Sequence, residues 1–129
     1  MKDGEWVVKS VSPYVIVEDV ASSVEYYQRV FGGDVKILNK QDGTVMHAEL
    51  HLGDSLIHFS ATYGRQPVSE NVKLIVQCES EDEIRTTYET LKADGEVTVE
   101  LQDTFFGALH GQVVDHRNRI CFILNYFKR

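Results

Sequence analysis

The chain reads as one pattern written twice. Residues 13–62 run strand, helix, strand, strand, strand, and residues 71–126 repeat that order. A half of about fifty residues is too small to bury a good core alone, so two such halves are expected to pack together. The fold class implied is α+β: two tandem βαβββ modules, about 11–62 and 71–127, joined by a linker over 63–70. Together they make a single domain over 1–129, with curved mixed sheets around a cleft. The cleft is the expected seat of function.

Periodicity supports each element. Pro13 to Val17 is a short apolar strand, and Asp19 is placed to cap a helix. Val20, Val24, Tyr27 and Phe31 then fall on one helical face. Gly32-Gly33 stops that helix, because glycine accepts the left-handed backbone of a C-terminal cap. Strands Asp34–Asn39, Thr44–Leu52 and Ser55–Thr62 follow, with turns at Gln41-Asp42-Gly43 and Gly53-Asp54. In the second half, Asn71–Gln77 is the strand. Ser80-Glu81-Asp82-Glu83 has the form of a capping box. Ile84, Tyr88 and Leu91 make the apolar stripe, and Gly95 is the expected helix end. Strands Glu96–Leu101, Ala108–Val114 and Ile120–Tyr126 complete the set.

Charge narrows the partners. The net charge of −7 comes with no basic cluster, so the footprint that nucleic acid or an anionic membrane requires is missing. No apolar run approaches a membrane span, and Met-Lys-Asp-Gly-Glu-Trp is not followed by a signal-like stretch. Cys78 and Cys121 are the only cysteines. They are expected as reduced thiols in a cytoplasmic protein.

Three stretches carry a family resemblance. The first is Val17-Glu18-Asp19-Val20 running on to Glu25-Tyr26-Tyr27 and Phe31-Gly32. The second is Met46-His47-Ala48-Glu49-Leu50 with Gly53-Asp54-Ser55. The third is Leu101-Gln102-Asp103-Thr104-Phe105-Phe106-Gly107, leading to Gly111-x-Val113-Val114-Asp115. On these the chain resembles the vicinal oxygen chelate superfamily, which includes glyoxalase I, bleomycin-resistance proteins and extradiol dioxygenases, and within it the PhnB-like branch. The resemblance implies the glyoxalase-like fold and a homodimer. A methyltransferase label common in that branch finds no support, since no strand-to-helix turn here is glycine-rich. Two departures stand out. The stretch Asp115-His116-Arg117-Asn118-Arg119 replaces the family's Asp-x-Phe-Gly, with Asn118 expected to take the glycine's left-handed turn. Phe106 stands where a tryptophan is common.

The resemblance also implies four metal-ligand positions, which fall near Ser12, at His58, at or beside Val72, and at Phe122. Only His58 is a competent ligand, and catalytic sites normally need about three. No cofactor is therefore expected, a divalent metal remaining the lesser reading.

Strand three suggests a site of its own. His47, Glu49 and His51 alternate with Met46, Ala48, Leu50 and Leu52, so the polar set shares one face. If the hairpin turns at Gly53-Asp54, His58 lies across from that row. The row reads as a solvated face, as a ligand pocket, or as a metal site. Glu49 beside a histidine would also make an acid–base pair. Phe105 and Phe106, taken as strand neighbours, should point to opposite faces, one of them into the cleft. Phe122 is expected to supply an apolar wall, and Tyr14 a hydroxyl. His110 and the Glu79–Glu83 acidic run read as structural. The candidate ligand-binding set is thus Tyr14, His47, Glu49, His58, Phe106 and Phe122. The function expected is small-molecule binding. The alternative is a lyase, isomerase or dioxygenase-type enzyme that uses an unconventional metal site or acid–base residues.

Overall fold

The computed structural model describes residues 9–64 and 72–128. Most of the 63–70 linker, Asn71 and the opening Met1–Trp6 stretch lie outside them. Contacts divide the chain into two compact units, one running to Tyr63 and the other starting at Gly64, with Arg29–Phe31 grouped with the second. Each unit is a four-stranded mixed sheet with a helix, the α+β class expected.

The first unit contains β1 (Tyr14–Val17), α1 (Val20–Phe31), β2 (Asp34–Gln41), β3 (Thr44–Leu52) and β4 (Ser55–Ala61). Its strand order is β1-β4-β3-β2, with β1 parallel to β4 and the other pairs antiparallel. Asp19 caps α1 by accepting the Ser22 N–H at 3.0 Å. The stripe packs as its spacing requires: Val20, Val24 and Tyr27 are buried, and Tyr27 stacks on Phe59 of β4 at 5.4 Å between ring centres. The β2–β3 hairpin turns on Asp42 and Gly43, both at positive φ (53° and 81°), the backbone that suits the twist of a two-residue hairpin. Gly33 has a different task. A Cβ there would lie 2.3 Å from the His51 carbonyl oxygen, so only glycine lets the chain leave α1 against β3.

The second unit contains β5 (Leu74–Gln77), α2 (Glu81–Lys92), β6 (Glu96–Asp103), β7 (Ala108–Val114) and β8 (Cys121–Phe127), in the order β5-β8-β7-β6. Ser80 Oγ accepts the Glu83 N–H at 3.0 Å, and Glu83 Oε1 accepts the Glu79 N–H at 2.8 Å. The capping box forms, reaching back one residue further than its usual return bond. Ile84, Thr87, Tyr88 and Leu91 are buried. The helix ends at Lys92 with Ala93 as its cap, so Gly95 does not end it. Gly95 instead admits close packing: a Cβ would meet the Leu91 and Val114 carbonyls at 2.6 and 2.7 Å.

Two loops differ from expectation. Phe105 and Phe106 are not in a strand. β6 stops at Asp103, and a turn closed by Thr104 Oγ1 donating to the Ala108 carbonyl (2.8 Å) and by Gly107 at φ 86° carries both rings. Strand alternation therefore does not apply to them. Before β8, the left-handed residue is Arg119 (φ 60°), not Asn118. The buried Asp115 carboxylate organises this loop, accepting the Asn118 N–H at 2.7 Å and the Ile120 N–H at 3.0 Å. Those two bonds hold a loop that has lost the aromatic residue usual in the family.

Candidate functional site

Register builds the site on the first sheet. Cα partners across β3–β4 are His47 with Ser60, Glu49 with His58, and His51 with Leu56. Across the parallel β1–β4 pair, Tyr14 partners His58. Phe59 faces α1 through Tyr27, so His58 on the next position faces away from the helix. The apolar alternates Ala48 and Leu50 are fully buried beneath. Tyr14, His47, Glu49, His51 and His58 thus share the face that α1 does not cover. On the far side of β3, Lys36 of β2 partners Glu49.

The side chains touch. His51 Nε2 donates to Glu49 Oε1 at 2.7 Å, and the other carboxylate oxygen lies 3.6 Å from His58 Nδ1. The same His58 Nδ1 lies 3.1 Å from His47 Nε2. Tyr14 stacks on His58 with ring centres 5.9 Å apart and meets His47 edge-on at 5.5 Å. The Glu49 side chain is 15% exposed, against 27% for His58 and 41% for His51, so the carboxylate is the most sheltered of the three. The His51 hydrogen bond holds the Glu49 carboxyl below its usual range. Partial desolvation opposes this, while the charges of His58 and Lys36 assist.

This arrangement favours one tautomer. A carboxylate beside His58 Nδ1 draws the proton to that nitrogen, where it can be given to His47 Nε2. The lone pair of His58 is then on Nε2. That nitrogen is the one suited to accept a hydrogen bond from a ligand.

The remaining candidates fall elsewhere. Phe106 is 45% exposed in the β6–β7 turn, edge-on to Phe105 and to His110. Phe122 is 1% exposed, with Leu74 and Val113 as Cα partners and its ring 5.1 Å from Phe31. It is a core residue and no wall of a polar face. The reason is parity. Gly111 packs against Tyr88 of α2, so Gly111, Val113 and their β8 partners Leu124 and Phe122 lie on the helix side. Lining up the helix caps Asp19 and Ser80 makes Ile75 the counterpart of Tyr14. Its β8 partner Ile123 is then the counterpart of His58. Matching His58 to Phe122 was one residue out, and one residue changes the face.

The same alignment exposes residues that sequence reasoning passed over. His47 partners Ser60, and His110 partners Asn125 in the corresponding place. His47-Ala48-Glu49 therefore repeats as His110-Gly111-Gln112. The signal was present in the repeat itself, as His-x-Glu and His-x-Gln in equivalent strands.

Cys78 and Cys121 are both free, and burial, with Glu83 nearby, pushes the Cys78 thiol up to about 11. It is protonated at neutral pH and a poor nucleophile.

The geometry defines a class: tandem βαβββ modules, each with a helix on one face of its sheet and polar side chains on the other. A model of the Glyoxalase/Bleomycin resistance protein/Dioxygenase superfamily matches residues 7–120, and the chain belongs to that superfamily. Its structure is similar to protein PA1353 of Pseudomonas aeruginosa, with a TM-score of 0.81, 20% identity, and 95% of this chain and 100% of that one covered. It is similar also to a PhnB protein of Bacillus cereus whose name proposes a 3-demethylubiquinone-9 3-methyltransferase (TM-score 0.73, 21% identity, 92% and 99% covered). A third is the fosfomycin resistance protein FosX of Listeria monocytogenes (TM-score 0.70, 14% identity, 96% and 94% covered). No protein of curated function matches the chain significantly.

Enzymes of the superfamily use a divalent ion held by His and Glu, and the residues present do not fit it. Of Ser12, His58, Val72 and Phe122, only His58 is a ligand type, and the corrected counterpart Ile123 adds none. Among the described residues, no group of three or more His, Cys, Asp or Glu is arranged to hold a metal ion.

Proposed function

We propose that this chain is a small-molecule binding protein that holds an oxygenated ligand against the open face of its first sheet. His47, Glu49 and His58 provide the hydrogen-bonding groups, and the Tyr14 ring supports an apolar or aromatic part. The observation that carries this reading is the register that sets Glu49 opposite His58 and His58 beside Tyr14. Half-sheltered polar groups of this kind make stronger hydrogen bonds to a ligand than fully solvated ones do. A reducing, cytoplasmic setting fits the two free thiols. The methyltransferase name of the Bacillus relative does not carry over. The strand-to-helix turns at Glu18-Asp19 and Cys78-Glu79-Ser80 have no glycine to approach a nucleotide cofactor.

A second reading rests on the position of His58 Nδ1, within 3.1 Å of His47 and 3.6 Å of Glu49. That chain of groups is suited to moving a proton, so lyase or isomerase chemistry is its natural use.

The test is an NMR screen of small oxygenated molecules that includes catechol, methylglyoxal and fosfomycin. Saturable shifts at Tyr14, His47 and His58 are expected, and the double change His47→Ala with Glu49→Ala should abolish them while the circular dichroism spectrum stays native. Binding that survives the double change would overturn the assignment. Proton exchange on a bound ligand, lost in His58→Ala, would select the enzymatic reading.

A further inference from the structure

The contact between His47 and His58 has room for a single proton. His47 Nε2 and His58 Nδ1 lie 3.1 Å apart, so one nitrogen donates and the other keeps its lone pair. A proton on each would set two donors face to face. Both rings lean on Tyr14, which stacks on His58 at 5.9 Å and meets His47 edge-on at 5.5 Å. A second acceptor stands ready, since Glu49 Oε2 lies 3.6 Å from the same His58 nitrogen. His51 bonds the other carboxylate oxygen, Oε1, at 2.7 Å and leaves Oε2 to His58. His58 Nδ1 therefore has two alternative partners. One is an imidazole, and the other is a carboxylate.

The remaining charges of this face come from β2. Asp34, Lys36 and Lys40 are the Cα partners of His51, Glu49 and Val45, and all three are exposed, where solvent screens them. Among titratable groups β1 brings Tyr14 and β4 brings His58. Ser60, the Cα partner of His47, turns its hydroxyl to the Ala61 carbonyl at 3.1 Å and leaves the rings to each other. Glu49, 15% exposed, is thus the sheltered charge beside the pair. The His51 hydrogen bond holds its carboxyl below the usual range, so it remains ionised while imidazoles take up protons.

We propose that His47 and His58 form a pH-sensitive switch, in which one added proton inverts the hydrogen-bonding sense of the face and a second parts the two rings. The first goes to His58 Nε2, where the imidazolium keeps its bond to His47 and gains the attraction of Glu49. That nitrogen changes from acceptor to donor. The second has to go to His47 Nε2, which ends the contact. His58 Nδ1–H then turns to Glu49 Oε2, and Tyr14 loses its edge contact with His47. The device rests on this geometry and on no ligand, so it can fail while the ligand reading of the same face stands.

The experiment is an NMR titration of protein labelled in histidine and tyrosine, from about pH 8 to about pH 4.5, across the imidazole range. Imidazoles that share a proton titrate as a pair, so His47 and His58 should show two steps separated by about one pH unit or more. The Tyr14–His47 ring contact, read as a nuclear Overhauser effect, should survive the first step and vanish in the second. In His47→Gln, His58 should titrate in one step. His51→Gln should keep both steps, and Glu49→Gln should move the first to lower pH, because the charge that supports the imidazolium is gone. Single independent steps for the two rings, matching those in His47→Gln and His58→Gln, would overturn the inference. So would a Tyr14–His47 contact that persists to the acid end, or one lost only with global unfolding followed by circular dichroism.

Discussion

Glu49 is the residue on which the first site turns. Its carboxyl is held below the ordinary carboxylate value of 4.5, first by the His51 hydrogen bond. A carboxyl with a lowered native pKa adds stability that is fully present above its unfolded value and is lost as the pH falls through the native one. Wild type should therefore melt above Glu49→Gln at pH 6–7. That gap should narrow from about pH 4.5 downward and close in stronger acid. Thermal melts of both proteins across pH 3–7 check this, and a gap that widened in acid would contradict it. Glu49 was legible in the sequence because the polar and apolar sets of β3 alternate without a break. His110 was not, because its strand offers no comparable alternation: Gly111 hides the apolar face. Its correspondence with His47 appears only when the two modules are aligned through their strand partners.

Elements were legible where local chemistry and periodicity agree, as in both helix caps and the two-residue turn at Asp42-Gly43. They were misread where a turn is built by groups with weak signatures. Thr104 and Gly107 close the β6–β7 connection and lift Phe105 clear of the sheet, at full exposure. The strand bounds Glu96–Leu101 and Ala108–Val114 already left Asp-Thr-Phe-Phe-Gly between them, and the misreading was to apply strand alternation to its two rings. The junction of α1 with β3 gives a prediction at this scale. Gly33 has φ 90° and its missing Cβ faces the His51 carbonyl at 2.3 Å. Gly33→Ala combines left-handed strain with a clash against backbone, so it should cost more than about 1 kcal/mol. For comparison, Ser80→Ala removes one cap bond and should cost about 1 kcal/mol. Urea unfolding of both variants would rank them. Because Gly33 abuts His51, its replacement should also disturb the Glu49 hydrogen bond, which Ser80→Ala leaves alone.

For the molecule as a whole, no helix among the described residues is long and apolar enough to cross a membrane. Homodimerisation remains a proposal, and light scattering at micromolar concentration should return twice the chain mass of 14.7 kDa. A stable pair would bury on the order of 1,600 Å² in total. A mass of one chain would refute it. With a single ligand type at the superfamily's four metal positions, stability should not depend on an ion. EDTA should leave the melting temperature unchanged, since an ion bound tightly to the native state would raise it by mass action. A fall of several degrees, reversed by zinc, nickel or iron, would show otherwise.

The parallel pairs β1–β4 and β5–β8 have a kinetic consequence. The antiparallel hairpins β2–β3–β4 and β6–β7–β8 join neighbours through short turns, whereas Tyr14 meets His58, and Leu74 meets Phe122, only across the length of a module. Closing so long a loop is entropically slow, so the first strand of each module should be the last to dock. Tyr14 reaches His58 by that step alone. In refolding, the ring-current signature of Tyr14 on His58 should therefore trail the β2–β4 hairpins, making the ligand face a report on the completeness of the fold.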